Sequence, residues 1–195
     1  SYPRYKEFKD IFEFDVLQIL NTMRYSFLVN FYKNLGNMVE NSAYNHHSMT
    51  VIVQGMLDLM CSPDFDANEL RKIRKVMYLT QQLTKIGNLL NTYPKEIGEK
   101  DLSSDFLIRG IEKGELGIED LESKSDKEII ALVSGYRHEF ENKWRNLYKQ
   151  VDEACNSIKS ISMEKYLEGI KFVHEKYKAR KWYWLPQFRD KNYVH

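Results

Sequence analysis

Apolar residues along this chain recur at intervals of three and four, and no stretch sustains the alternation of a half-buried strand, so the pattern predicts helices throughout. The first is expected from about Asp10 to Val39, with Phe12, Val16, Ile19, Leu20, Met23, Phe27 and Phe31 as its core face. A nearly all-apolar stretch, Asn45 to Met60, predicts a central second helix. After the connector CSPDFDANEL, Asp66 with Glu69 three residues on reads as a capping box for a long helix from about Ala67. Ile73, Val76, Met77, Leu79, Leu83, Ile86 and Leu90 form its buried stripe. A short helix capped by Asp101 or Ser103 runs through Ile111, and EKGELGIEDLESKS is a polar excursion with a single turn at Ile118 to Leu121. Ser125 and Glu128 make a second capping box, opening a helix to about Ile158, and Ser162 starts the last, from Met163 to near Arg180. Without an internal repeat or a sustained heptad seam, these helices imply an all-α packed bundle, expected as one domain over residues 1–195 or as part of a larger one.

Composition narrows the function classes. Lys+Arg number 29 against 28 Asp+Glu, with the signs mixed along the sequence, so no field is available to hold a nucleic-acid backbone. Cys61 and Cys155 stand apart from each other and from any histidine at ligand spacing, which argues against a disulfide framework or a zinc site and favours a reducing, cytoplasmic setting. The most apolar run, MTVIVQGMLDLM, is too short to cross a bilayer. The sequence starts Ser-Tyr-Pro with neither an initiator Met nor a signal-peptide pattern, so further sequence is expected upstream.

The stretch NLLNTYPKE departs from plain scaffold. Asn88, Thr92 and Glu96 are four residues apart each time, and on an α-helix such a step turns about 400° and climbs about 6 Å, so the three share one edge. Amide, hydroxyl and carboxylate oxygens are hard ligands, and one negative charge suits Mg²⁺, which keeps several waters and takes phosphate oxygens from a substrate. Lys95, beside Glu96, can meet a phosphate as a point charge. The same spacing also arises on a solvated helix face that binds nothing. Pro94 within the stretch removes one helix hydrogen bond and crowds the carbonyl of Leu90, at about 3 kcal/mol, which marks a kink or a helix end.

These residues resemble the second metal-binding motif of class I terpene synthases, commonly Asn-Asp-x-x-Ser-x-x-Lys-Glu, in which Asn, Ser or Thr, and Glu bind one magnesium ion. Asn88, Thr92 and Glu96 match those ligands, Lys95 matches the basic position, and Leu89 stands where the family usually has Asp. KEIGEKDLSS is similar to the segment just after the motif in bacterial members, and the helix ending MLDLM looks like the one that precedes the motif there. By register, the family's diphosphate-sensing arginine falls at YNHH, so the resemblance implies that His46 and His47 contact diphosphate. Arg180 and Tyr183, with Lys181, lie where the family has an Arg-Tyr pair. The likeness covers roughly Ser42 to Glu122 and extends loosely to the C-terminus. It implies the C-terminal half of the class I isoprenoid synthase fold, Mg²⁺ as cofactor, and a polyprenyl diphosphate substrate that is ionised and cyclised through carbocations. The family's Asp-rich first motif has no counterpart, DIFEFD being acidic but too near Asn88, so a partner chain or an upstream segment is expected to supply it.

The competing expectation is a non-catalytic helical interaction module. On that reading the ladder is solvated, His46-His47 is an exposed helix start, and HEKYKARKWYW is a docking strip rather than a flap over a diphosphate. Arg24-Tyr25 reads as a surface pair, His174 as a surface histidine, and Phe27, Phe31, Tyr44 and Tyr78 as core. Neither a P-loop nor a dinucleotide-binding glycine pattern is present, and no Ser/His/Asp or Cys/His arrangement can be singled out.

Overall fold

α4 (Leu70–Gly98) is the axis around which the other helices gather. Its buried positions, from Ile73 to Ile97, run almost right round it, so it needs neighbours on most sides. A computed structural model describes residues 2–179, within which every regular element is helical. α8 (Arg137–Cys155) lies along α4 most extensively; α3 (Val51–Cys61), α5 (Asp105–Glu112), α7 (Asp126–Val133) and α9 (Glu164–Ala179) complete its surroundings. Among the described residues no helix is long and apolar enough to cross a membrane.

The first helix, α1 (Tyr5–Phe31), overturns the expected core face. Leu20, Met23, Phe27 and Phe31 are more than half exposed, and Phe12 is only partly buried. The buried edge is the opposite one: Phe8, Asp15, Thr22, Tyr25 and Val29. Tyr25 is therefore inside, not on the surface. Polar contacts hold this edge. Arg74 of α4 grips Asp15 through two hydrogen bonds of 2.7 and 2.8 Å, Thr22 Oγ1 donates to the Tyr44 carbonyl at 2.7 Å, and Ser26 Oγ meets Ser103 Oγ at 3.0 Å. Asn30 donates to Asp101 Oδ1 and accepts from the Leu102 N–H. At the other end Arg4 donates to the Ser62 and Phe65 carbonyls and lies over the Phe8 ring.

The expected helix to Val39 stops at Phe31, and α2 (Met38–Tyr44) restarts from an Asn37 cap that accepts the Glu40 N–H. The segment expected as one helix from Asn45 to Met60 is a 3₁₀ turn, Asn45–Met49, followed by α3. Thr50 divides them with φ 59°, a left-handed backbone that sterics discourage in a β-branched residue. α3 then approaches α4 so closely that Gly55 rests on Met77, where a Cβ would stand 2.5 Å from the methyl carbon.

Three further expectations change. Asp66 caps the Asn68 N–H, but Glu69 forms no capping box with it. Its carboxylate instead accepts the Lys159 and Ser160 N–H groups and the Ser160 hydroxyl, which tie the α8–α9 connection to the start of α4. The Ser160 and Lys159 N–H groups, in that order, draw its pKa down to about 2. The helix expected from Ser125 to Ile158 opens on the anticipated capping box but breaks at a 3₁₀ turn, Ser134–Tyr136, so α7 and α8 pack separately. The single turn expected at Ile118 to Leu121 becomes the short α6 (Asp120–Ser123).

Pro94 sits inside α4 without ending it. Proline has no N–H to give the Leu90 carbonyl, and that carbonyl instead accepts the Arg137 guanidinium from α8 at 3.0 Å. Next to this junction Tyr93 stacks on Phe106 at 4.1 Å, and Phe106 lies 4.8 Å from Phe140, an aromatic column joining α4, α5 and α8.

Candidate functional site

The edge of α4 that carries Asn88, Thr92 and Glu96 also carries Arg74, Tyr78, Gln81 and Lys85, because steps of three and four keep all seven within a narrow sector. It is a polar seam on a helix whose C-terminal half is otherwise mostly buried. Thr92 Oγ1 lies 2.7 Å from Glu96 Oε1 and 3.5 Å from Asn88 Nδ2. Ser104, just before α5, donates to Glu96 Oε2 at 2.6 Å. All three ladder residues are half-buried.

This donor set fits a small hard cation. Neighbouring ligands at 2.0–2.1 Å in an octahedral Mg²⁺ shell stand about 3 Å apart, and the two spacings along the ladder bracket that value. Turning the Asn88 amide over would present Oδ1 in place of Nδ2. With its proton directed to Glu96, the Thr92 hydroxyl keeps a lone pair for a metal. The ladder brings a single carboxylate, and among the described residues no group of three or more His, Cys, Asp or Glu converges on a metal position. A cation here would need an anionic ligand to complete its charge.

His46 and His47 lie against the Tyr78 and Gln81 end of this seam, and burial disfavours their charged forms. His46 is almost fully buried, its ring 4.3 Å from that of His47 and edge-on to Tyr78 at 4.8 Å. Burial, and then the neighbouring His47, push its pKa down to about 4, and burial lowers that of His47. The Ser42 carbonyl, 3.0 Å from His46 Nδ1, can only accept, so Nδ1 carries the ring proton. Gln81 Oε1 takes the Ile52 N–H, which turns its NH₂ towards His47 Nδ1 and leaves the proton of His47 on Nε2. His47 is thus a neutral donor. Tyr78 and Tyr44, expected in the core, are partly exposed.

Beside Lys85 a cleft of about 70 Å³ is lined by Asn41, Asn45, His46, Asp105 and, from α8, Lys143. Asn41 donates to the Asp105 carboxylate and to the Ser103 carbonyl. Burial raises the pKa of Asp105, while the charges of Lys85 and Lys143 pull the other way. These two lysines were not anticipated. Lys85 was within reach of spacing, being three residues before Asn88 on the same edge; Lys143 belongs to a distant helix, and nothing in its own neighbourhood of sequence signals it. Lys95 lies to one side of the ladder with Glu99 at 3.5 Å. Arg180 and Tyr183 fall outside the described residues. His174, expected as a surface group, stacks on Trp144 at 4.0 Å and lines a separate cavity of about 260 Å³ between α4, α8 and α9.

Comparison with known proteins finds no matching family model, no similar curated protein and no similar solved structure.

Proposed function

We propose that the chain forms the metal-bearing part of a class I terpene synthase-like enzyme, acting on the diphosphate of a polyprenyl substrate. One observation carries this reading: on one half-buried edge Thr92 Oγ1 lies 2.7 Å from Glu96 Oε1 and 3.5 Å from the Asn88 side-chain amide, which turned over would bring three oxygens to magnesium-ligand spacing. Mg²⁺ held there would supply Lewis-acid stabilisation of the departing diphosphate. The chain's own groups serve the same end. Ser104 fixes the Glu96 carboxylate, Lys85 stands one turn along from Asn88, and Lys143 faces the adjoining cleft with Asp105, so two lysines are at hand for phosphate oxygens.

The cleft, at about 70 Å³, suits a phosphoryl group; ligand pockets are usually about 300–1,000 Å³, so a prenyl tail needs walls from another chain or segment. That accords with the missing Asp-rich motif. The test is incubation with geranyl, farnesyl and geranylgeranyl diphosphates, with Mg²⁺, detecting diphosphate release and hydrocarbon products. Turnover lost in Glu96→Gln, with an unchanged circular dichroism spectrum, supports the reading. Absence of turnover with every metal and chain length, even with the complementary segment supplied, refutes it.

A second reading, a helical interaction module, is favoured by a different observation: the apolar edge of α1 has no cover among the described residues.

A further inference from the structure

Leu17, Leu20, Met23, Phe27 and Phe31 form a continuous ridge on the outer edge of α1, directly opposite the edge that holds the helix to the fold. Each is more than half exposed, as is Phe14 at the margin. On the outside of the molecule, Phe27 and Phe31 stack at 5.9 Å, and Phe31 meets Tyr32 edge-on at 4.8 Å. Six such side chains present on the order of 700 Å² of apolar surface. The largest patch on an ordinary monomer is about 300–600 Å², whereas each partner in a standard protein interface contributes about 800 Å².

The ridge also reads nearly the same in both directions. Laid antiparallel on itself with its centre between Leu20 and Met23, it sets Leu20 against Met23 and Leu17 against Phe27. A two-fold interface requires this of a surface, since residue i must meet j while j meets i. Leu20 and Phe31 are 11 positions apart, about 16 Å of helix, and the ridge from Leu17 to Phe31 spans about 21 Å, a length that two straight helices can share. Arg24 stands in line with the ridge, between Leu20 and Phe27, where its long aliphatic stem joins the contact and carries the guanidinium out to water, and Asn21 lies to one side at the rim.

We infer that the outer edge of α1 is a homodimer interface, covered by α1 of a second copy in antiparallel, two-fold pairing. This takes the interaction reading and commits it to one partner; it does not depend on the magnesium chemistry, whose test is turnover.

Cys61 is exposed, so the experiment uses the full chain with Cys61→Ser to prevent adventitious cross-linking. Sedimentation equilibrium across the micromolar range is expected to give twice the 23.3 kDa chain mass. Leu20→Glu with Phe27→Glu is expected to weaken the dimer at least about 100-fold, because carboxylates would be desolvated against apolar side chains. Both positions are already exposed, so helix content should not change. For orientation, Leu17→Cys combined with Phe27→Cys should cross-link two chains under oxidation, whereas Leu17→Cys alone should not, its two copies lying about 14 Å apart along the pair. A monomer at every concentration overturns the inference, even if some other protein binds the ridge. So does a dimer that survives the double glutamate variant, and cross-linking by Leu17→Cys alone would overturn the antiparallel arrangement.

Discussion

Pro94 and Arg137 give the fold a testable coupling between two distant parts of the sequence. Replacing Arg137 by methionine keeps most of the aliphatic volume but removes the 3.0 Å donor to the Leu90 carbonyl, which Pro94 cannot serve. A hydrogen bond to a charged group contributes about 1.5–3 kcal/mol, and the half-exposed pair with Glu141 adds about 0–1 kcal/mol. A loss of about 2–3 kcal/mol is expected, which for a chain of this size lowers the melting temperature by about 5–10 °C. In a Pro94→Ala background the backbone N–H returns and can reach Leu90 along the helix. There Arg137→Met should cost about 1 kcal/mol or less, giving a coupling of at least about 1 kcal/mol between the two positions. Urea denaturation of the four proteins, followed by helical circular dichroism, measures it. Equal costs in the two backgrounds, within about 0.5 kcal/mol, would refute the view that the guanidinium stands in for the missing backbone donor.

Acid should weaken the fold through His46. The unfolded chain takes up the proton near the ordinary value of 6.5, whereas the native state resists until about 4, so this contribution is complete above pH 6.5 and is lost between 6.5 and 4. About 2–3 kcal/mol is at stake; His46→Gln should flatten the fall of urea midpoints over that window, and an unchanged slope would exclude His46 as its source. Asp15→Ala should cost about 2–3 kcal/mol, the lower end for a buried pair because Arg74 keeps some access to water. Adding Arg74→Met should recover part of that loss in the same denaturation assay. Full stability in Asp15→Ala would show that α1 is held by something other than its ionic contact with α4.

Much of the fold was legible where the signal is local. The helix period, the Ser125–Glu128 box and the shared edge of Asn88, Thr92 and Glu96 follow from spacing within one helix, and the structure keeps them. Contacts across helices were not legible in this way. Asn41 with Asp105, Lys143 beside Lys85, and Glu69 clamping residues 159 and 160 join positions tens of residues apart, and no periodicity announces them. The break at Ser134–Tyr136 was missed because apolar spacing continues across it, and the one at Thr50 because neither Gly nor Pro marks it between Met49 and Val51. α1 misled for a more instructive reason: periodicity locates an apolar edge without saying which neighbour it meets, and here the better apolar edge faces outward.

That helix has two edges suited to burial, one greasy and one studded with Asp15, Thr22, Ser26 and Asn30. Hydrophobicity alone would roll the cylinder half a turn. Each polar side chain finds its counterpart in only one rotation, so the row works as a key in its slot, choosing orientation where grease would choose wrongly. Filing off several teeth together should therefore leave a helix that is still attached but turned over, its ridge hidden and its capacity to self-associate gone.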